Sequence, residues 1–333
     1  MTKRFLRLLV AGGLVFLIVE ATTFGWNIFK PATIIASKDR QLPARLKGHV
    51  YKLSLEIGNR NIFNYSHLEQ AAEYITSQLE SYGYDVQFQK YFINNKETKN
   101  IIVTKVGEKK PGEIIVVGAH YDSYFNPGAD DNASGVSGLL ELSRFFKNQI
   151  SDRTLRFVFF ANEEPPFFKT EYMGSRVYAR QAKKSKEDIK AVIVFDSIGF
   201  YSNRIFSQRY LPLTGIFFPN KANFISVISN FRNRQFVAVI TKSFKKNSKF
   251  PIESVAFDFI PAVDFSDHRS FWKEGYPAVM ISDTAFLRHG NYHQNTDTWD
   301  KLNYEYMASV IEGFSSVIID LSSKSKGDGS GLS

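Results

Sequence analysis

One stretch constrains this chain more than any other: Gly118 to Gly135, GAHYDSYFNPGADDNASG. A short apolar run, Glu113 to Gly118 (EIIVVG), leads into it and reads as a buried strand. That strand delivers His120 and Asp122 at its end, a Pro-Gly turn follows at Pro127 and Gly128, and Asp130, Asp131 and Asn132 precede a helical run. Polar groups gathered between a strand end and a helix start lie where open α/β sheets bind ligands. An imidazole with several carboxylates in such a place suits a hard or borderline cation such as zinc.

A lone His-x-Asp is equally a hydrogen-bonded pair at a strand end, and three later segments tip the balance. Thr154 to Glu164, TLRFVFFANEE, reads as a strand running into Glu163 and Glu164. Ala191 to Ser197, AVIVFDS, is a strand ending near Asp196, and Asn291 to Thr298, NYHQNTDT, is a polar loop holding His293. Two histidines, two aspartates and one glutamate, with a second glutamate beside it, make a set suited to two metal ions and a general base. A metal ion acidifies water toward neutrality, and a nearby carboxylate can take the proton and pass it to the leaving amine. For Asp130 the plainer reading, a cap on the following helix, is preferred over ligation.

The motifs GAHYDS, PGADDNASG, ANEEPPFF with YMGSRVYA, VFDSIGF, SDHRSFW and YHQNTDT together resemble the zinc-dependent aminopeptidase family that includes bacterial leucyl aminopeptidases. That family shares its fold with glutaminyl cyclases, and the resemblance runs from about Leu42 to Leu321. It implies a three-layer α/β/α fold with a mixed, mostly parallel central sheet. It further implies two zinc ions held by His120, Asp131, Glu164, Asp196 and His293, with Asp131 bridging. Glu163 would be the general base, and Asp122 would hold His120 in its ligating tautomer. The implied reaction is removal of an N-terminal residue from peptides. The implied alternatives are a single-zinc glutaminyl cyclase and a non-catalytic binding relative. One position departs from the pattern: some members carry a tyrosine three residues before Ser266-Asp267-His268, and here Val263 stands there, which leaves the oxyanion donor open.

Composition sets the remaining bounds. With 333 residues, 44% hydrophobic and 31 Phe, the chain can fill one large α/β core. A net charge of +9 lies partly in Lys183–Lys190 and Lys242–Lys249 and reads as a solvated basic face, with no nucleic-acid-binding motif behind it. The absence of cysteine excludes disulfides and thiolate metal sites.

Lys3, Arg4 and Arg7 precede the 12 apolar residues Leu8 to Val19, the pattern of a signal peptide. Apolar character resumes from Ala21 to Phe29, so residues 1–30 read as a signal peptide or signal anchor. An extracytoplasmic protein is the expectation, membrane-anchored if the segment is retained and periplasmic or secreted if it is cleaved. The catalytic domain is expected over 41–322 and a disordered Gly/Ser/Lys-rich tail over 323–333.

Between these ends the pattern predicts a first helix over Gln41–Leu55 and a second opened by a Ser66/Glu69 capping box and closed by Gly83. Strands are expected near Asp85–Tyr91 and Asn100–Val106, and helices near Ser134–Asn148, Gly174–Ala182 and Asn303–Leu321. The stretch from Phe200 to Ile260 reads as strands at Arg204–Gln208 and Phe236–Ile240 around a helix near Lys221–Phe231. Pro261–Ser266 reads as a strand and Pro277–Asp283 as a final buried one. Ile216, Phe217, Phe218 and Phe250 are candidates for a substrate pocket, although aromatic clusters are more often core. His268 reads as supporting structure and His289 as an exposed loop histidine.

Overall fold

A computed structural model describes residues 37–210, 218–258, 260 and 262–323. The expected signal segment, the tail beyond Ser323, and Ile216 and Phe217 lie outside these residues. Among the described residues no helix is long and apolar enough to cross a membrane.

The framework is an eight-stranded mixed sheet. Its strands are β1 (Gln87–Ile93), β2 (Lys96–Lys105), β3 (Lys110–His120), β4 (Arg153–Phe160), β5 (Asp188–Phe195), β6 (Ile225–Ser229), β7 (Ile252–Ala256) and β8 (Ala278–Ser282). They lie in the order β1-β2-β4-β3-β5-β8-β6-β7. The centre, β4-β3-β5-β8, is parallel; β2 joins it antiparallel on one side and β6 on the other. Parallel strands covered on both faces must be apolar on both, which is why EIIVVG, TLRFVFF and AVIVF read as continuous runs.

Alternation along these strands feeds two separate cores. Ile115, Val117 and Ala119 of β3 join Phe157 and Phe159 of β4 in the larger one. That core is covered by α1 (Leu42–Tyr51), α2 (Tyr65–Ser81), α3 (Gly135–Phe146), α5 (Arg234–Asn247) and α7 (Tyr304–Ser323). Val116, Val158, Phe160, Val192 and Val194 point the other way, onto α4 (Gly174–Lys184) and α6 (His268–Lys273). The three-layer α/β/α architecture is therefore as expected. The α7 helix presents Met307, Val310, Ile311, Phe314, Val317, Ile318 and Leu321 to the larger core, as its 3.6-residue spacing requires.

Several local expectations are corrected. The first helix ends at Tyr51 and continues as a wider turn, Lys52–Ile57, before Gly58 at φ 77°. Helix α2 begins at Tyr65, so Ser66 and Glu69 lie inside it and form no capping box; Glu69 instead pairs with Lys99 at 2.6 Å. From Phe200 onward the assignment is inverted. Ile225–Ser229, expected within a helix, is strand β6, and Phe236–Ile240, expected as a strand, lies inside helix α5. Phe236, Val237, Ile240 and Phe244 share one buried helical face, a period that a five-residue window is too short to reveal. Arg204–Gln208 is turns and bends, and the described part of Pro261–Ser266 is turn leading into α6.

Candidate metal centre

Parallel pairing places the carboxyl ends of β4, β3 and β5 side by side, so the residues that follow them converge. His120 closes β3, Glu163 and Glu164 follow β4, and Asp196 follows β5. Asp131 arrives from the loop entering α3, and His293 from the loop after β8.

The loop between His120 and Asp131 is held by a fully buried arginine that the sequence reading missed. Arg60 donates to the backbone carbonyls of Tyr121 (2.9 Å), Pro127 (2.5 Å) and Gly128 (2.8 Å). Burial lowers its pKa to about 10, opposed by Asp122, Asp297 and Asp131, so it stays charged at neutral pH. Gly128 sits at φ 57°, where a Cβ would also collide with the Asp131 carbonyl and the Ser123 side chain; only glycine fits. Asn132 then ties the loop to β5, donating to the Phe195 carbonyl (2.9 Å) and accepting from the backbone N–H of Gly135 (3.0 Å) and Ser197 (3.1 Å).

Two acidic side chains fix the ligating backbone from behind. Asp122 accepts hydrogen bonds from the backbone N–H of both Glu163 and Glu164, each at 3.1 Å, and its Oδ1 lies 3.5 Å from His120 Nδ1. Its place beside His120 is as expected; its hold on the carboxylate loop was not foreseen. Asp297, in the NTDT part of the last loop, accepts from Asp130 N–H (3.0 Å) and Asp131 N–H (3.2 Å). His289 approaches the same carboxylate at 3.2 Å and stacks on Phe200, so it is buried, contrary to the expectation of an exposed loop residue. Asp130 is not a helix cap: its Oδ1 accepts from Gly199 N–H at 2.8 Å, and burial, with Asp283 and Asp297 nearby, pushes its carboxyl well up.

The converging side chains form two groups of metal-donor atoms that share one residue. His120, Asp131 and Asp196 make one; Asp131, Glu164 and His293 make the other. Within the first, His120 Nε2 lies 3.3 Å from Asp131 Oδ1 and 3.8 Å from Asp196 Oδ2. Within the second, His293 Nε2 lies 3.1 Å from Asp131 Oδ2 and 3.2 Å from Glu164 Oε2. Glu163 belongs to neither group, and its Oε2 is 4.0 Å from His120 Nε2.

The donors fit a divalent cation. His120 Nε2 and Glu164 Oε1 are buried without a hydrogen-bond partner, a costly state that a metal ion relieves. Mutual repulsion of the carboxylates makes the same point. Burial pushes Glu164 up to about 8, aided by Asp131, and pushes Glu163 well up, aided by Glu164 and Asp196. On His293, burial opposes the charge, but Asp131 and Glu164 outweigh it and lift the ring to about 10. His268 takes no part: its Nε2 meets the Val263 carbonyl at 2.8 Å, and burial lowers it to about 4, as befits a neutral supporting residue.

Beside Asp196 opens a cavity of about 330 Å³, whose wall includes Phe218, Val263 and Tyr292. Of the aromatic candidates, Phe218 lines this cavity, whereas Phe250 packs inside against Tyr201 and Tyr306, the core role that aromatic clusters more often take. Tyr292 was not foreseen. Burial and then the charges of Asp131, Glu164, Asp196 and Glu163 raise its phenol well above the usual range, so its hydroxyl stays protonated and lies within the field of the donor cluster.

Fold and site together define a zinc-dependent exopeptidase. The chain belongs to peptidase family M28, whose profile matches residues 100–318. It is 36% identical over 282 residues to the uncharacterized protein YfbL of Escherichia coli (strain K12), covering 81% of this chain and 86% of that one. It is 27% identical over 241 residues to a probable leucine aminopeptidase of Arthroderma otae, covering 67% and 58%. In structure it resembles BSAP, a zinc aminopeptidase from Bacillus subtilis, with a TM-score of 0.69 at 16% identity over 86% of this chain and 97% of that one. A glutaminyl cyclase from Fimbriiglobus ruber has the same fold, at a TM-score of 0.65 and 20% identity over 87% and 99%.

Proposed function

We propose that this chain is an exported aminopeptidase that hydrolyses the N-terminal peptide bond of peptides; His120, Asp131 and Asp196 would hold one zinc ion, and Asp131, Glu164 and His293 a second. The observation that carries the reading is the pair of donor groups sharing Asp131, with Glu163 left over at their edge. Zinc, when bound, supplies the acidification of water and the polarisation of the scissile carbonyl. Glu163 takes the proton from the attacking water and returns it to the leaving amine. Its burial supports that role, because a base is most effective when its pKa is raised toward neutrality. Asp122 orients His120 and fixes both glutamates through their N–H groups. Tyr292, protonated and close to the carboxylates, takes the oxyanion-donor place that Val263 cannot fill. The basic, apolar N-terminal segment supports a position outside the cytoplasm, anchored or released.

Family membership and the relatives named as aminopeptidases support peptide hydrolysis over cyclisation, and the pair of donor groups points the same way. The test is Glu163→Gln in the zinc-loaded protein. We expect turnover of a leucyl anilide to fall by about 10²- to 10⁴-fold while the zinc content stays unchanged. Full activity in that variant would remove Glu163 from the mechanism.

A further inference from the structure

The cavity beside Asp196 lies on one face of the β8-β6-β7 end of the sheet. Alternation sends Ile252 and Ala256 of β7 into the larger core and Glu253 and Val255 to the opposite face. There, Ile228 of β6 and Met280 of β8 join Phe224 and Phe286 to make an apolar wall. Glu253 interrupts that wall. Its side chain makes no hydrogen bond or ion pair with another described residue; Lys245, on α5, acts on it only through its charge. Its side chain is half-buried, open to the cavity, and the partial burial pushes its carboxyl up to about 7.

A carboxylate set among hydrocarbon is unfavourable unless a donor reaches it. A ligand that satisfies this cavity has an apolar stem to lie along the aromatic and aliphatic wall and a cationic head to meet Glu253. Lysine and arginine side chains have that form. An acidic side chain would be repelled, and a short aliphatic one would leave the carboxylate facing only the water of the cavity. The lining of the cavity also includes Asp196 and Tyr292, so the cavity adjoins the metal centre.

We propose that the cavity receives the side chain of the substrate's first residue and that Glu253 selects N-terminal lysine or arginine. The proposal rests on the aminopeptidase reading and deepens it by naming the substrate class.

The test uses the zinc-loaded full chain with lysyl, arginyl, methionyl and leucyl 4-nitroanilides, in the wild type, Glu253→Gln and Glu253→Asp. Wild-type kcat/KM is expected to favour the two basic substrates by at least about tenfold, as a charge-assisted hydrogen bond allows. In Glu253→Gln the lysine-to-leucine ratio falls by about 10- to 100-fold, the loss lying in the basic substrates. Glu253→Asp keeps the charge and retains part of the ratio, which a merely misfolded variant would not. A wild type that prefers leucine, or a ratio unchanged in Glu253→Gln, overturns the proposal. If no anilide is cleaved, the aminopeptidase reading fails, and the cavity is judged by calorimetry with free lysine and leucine. Tighter lysine binding that Glu253→Gln abolishes supports the selection; equal binding of the two overturns it.

Discussion

Asp131 is the residue on which the two donor groups depend, since each contains it. This gives the substitutions unequal consequences. Replacing His293 with Ala removes a donor from one group only and should leave about one zinc per chain; Asp131→Ala should leave none bound tightly. Metal analysis after gel filtration measures both, and two ions retained by Asp131→Ala would contradict the bridging role. The convergence of His120, Glu163, Glu164 and Asp196 was legible because they stood at or just past the ends of apolar runs, where a parallel sheet collects its ligands, whereas Asp131 and His293 were singled out through the family resemblance. What held them was not legible. Arg60, Asp297 and Tyr292 act through backbone carbonyls, backbone N–H groups and proximity, and none of those partners has a signature in side-chain type. His289 illustrates the same limit: its burial comes from Phe200 and Asp297, 89 and eight positions away in the chain, counted as 289 minus 200 and 297 minus 289.

Among the elements, α7 is the one whose sequence announced its packing most plainly. Phe314 stands at the centre of its buried face, edge-on to Phe195 of β5 at 5.4 Å and tilted against Phe244 of α5 at 5.1 Å. It therefore ties two helices to the strand that precedes Asp196. Phe314→Ala should destabilise the protein by about 3–5 kcal/mol through lost transfer free energy and the cavity left behind, read by urea denaturation. A loss under about 1 kcal/mol would mean that neighbours collapse into the space. The central strands were equally plain, since long apolar runs bounded by turn residues have few other uses. The segment from Phe200 to Ile260 was misread for a physical reason. Strand β6 is five residues long and buried at four of them, so it shows no two-residue alternation. Helix α5 places its apolar residues in a pattern whose first half is also compatible with a strand. Edge strand β7 was missed for the same shortness, and with it the wall that carries Glu253.

At the scale of the whole molecule, the sheet does two things at once. Its parallel centre gathers the metal donors at the carboxyl ends, and its antiparallel extension through β6 and β7 builds the cavity next to them. On the proposed reading, chemistry and selection are carried by neighbouring parts of one framework, a fold shared with an aminopeptidase and a glutaminyl cyclase. The most direct measurement is a mass analysis of a peptide pool with varied N-terminal residues, glutamine included, after incubation with the zinc-loaded protein. The account predicts loss of whole N-terminal residues, lysine and arginine fastest, and no change once a chelator has removed the metal. Loss of ammonia from the glutamine peptides alone would contradict it and make the protein a cyclase.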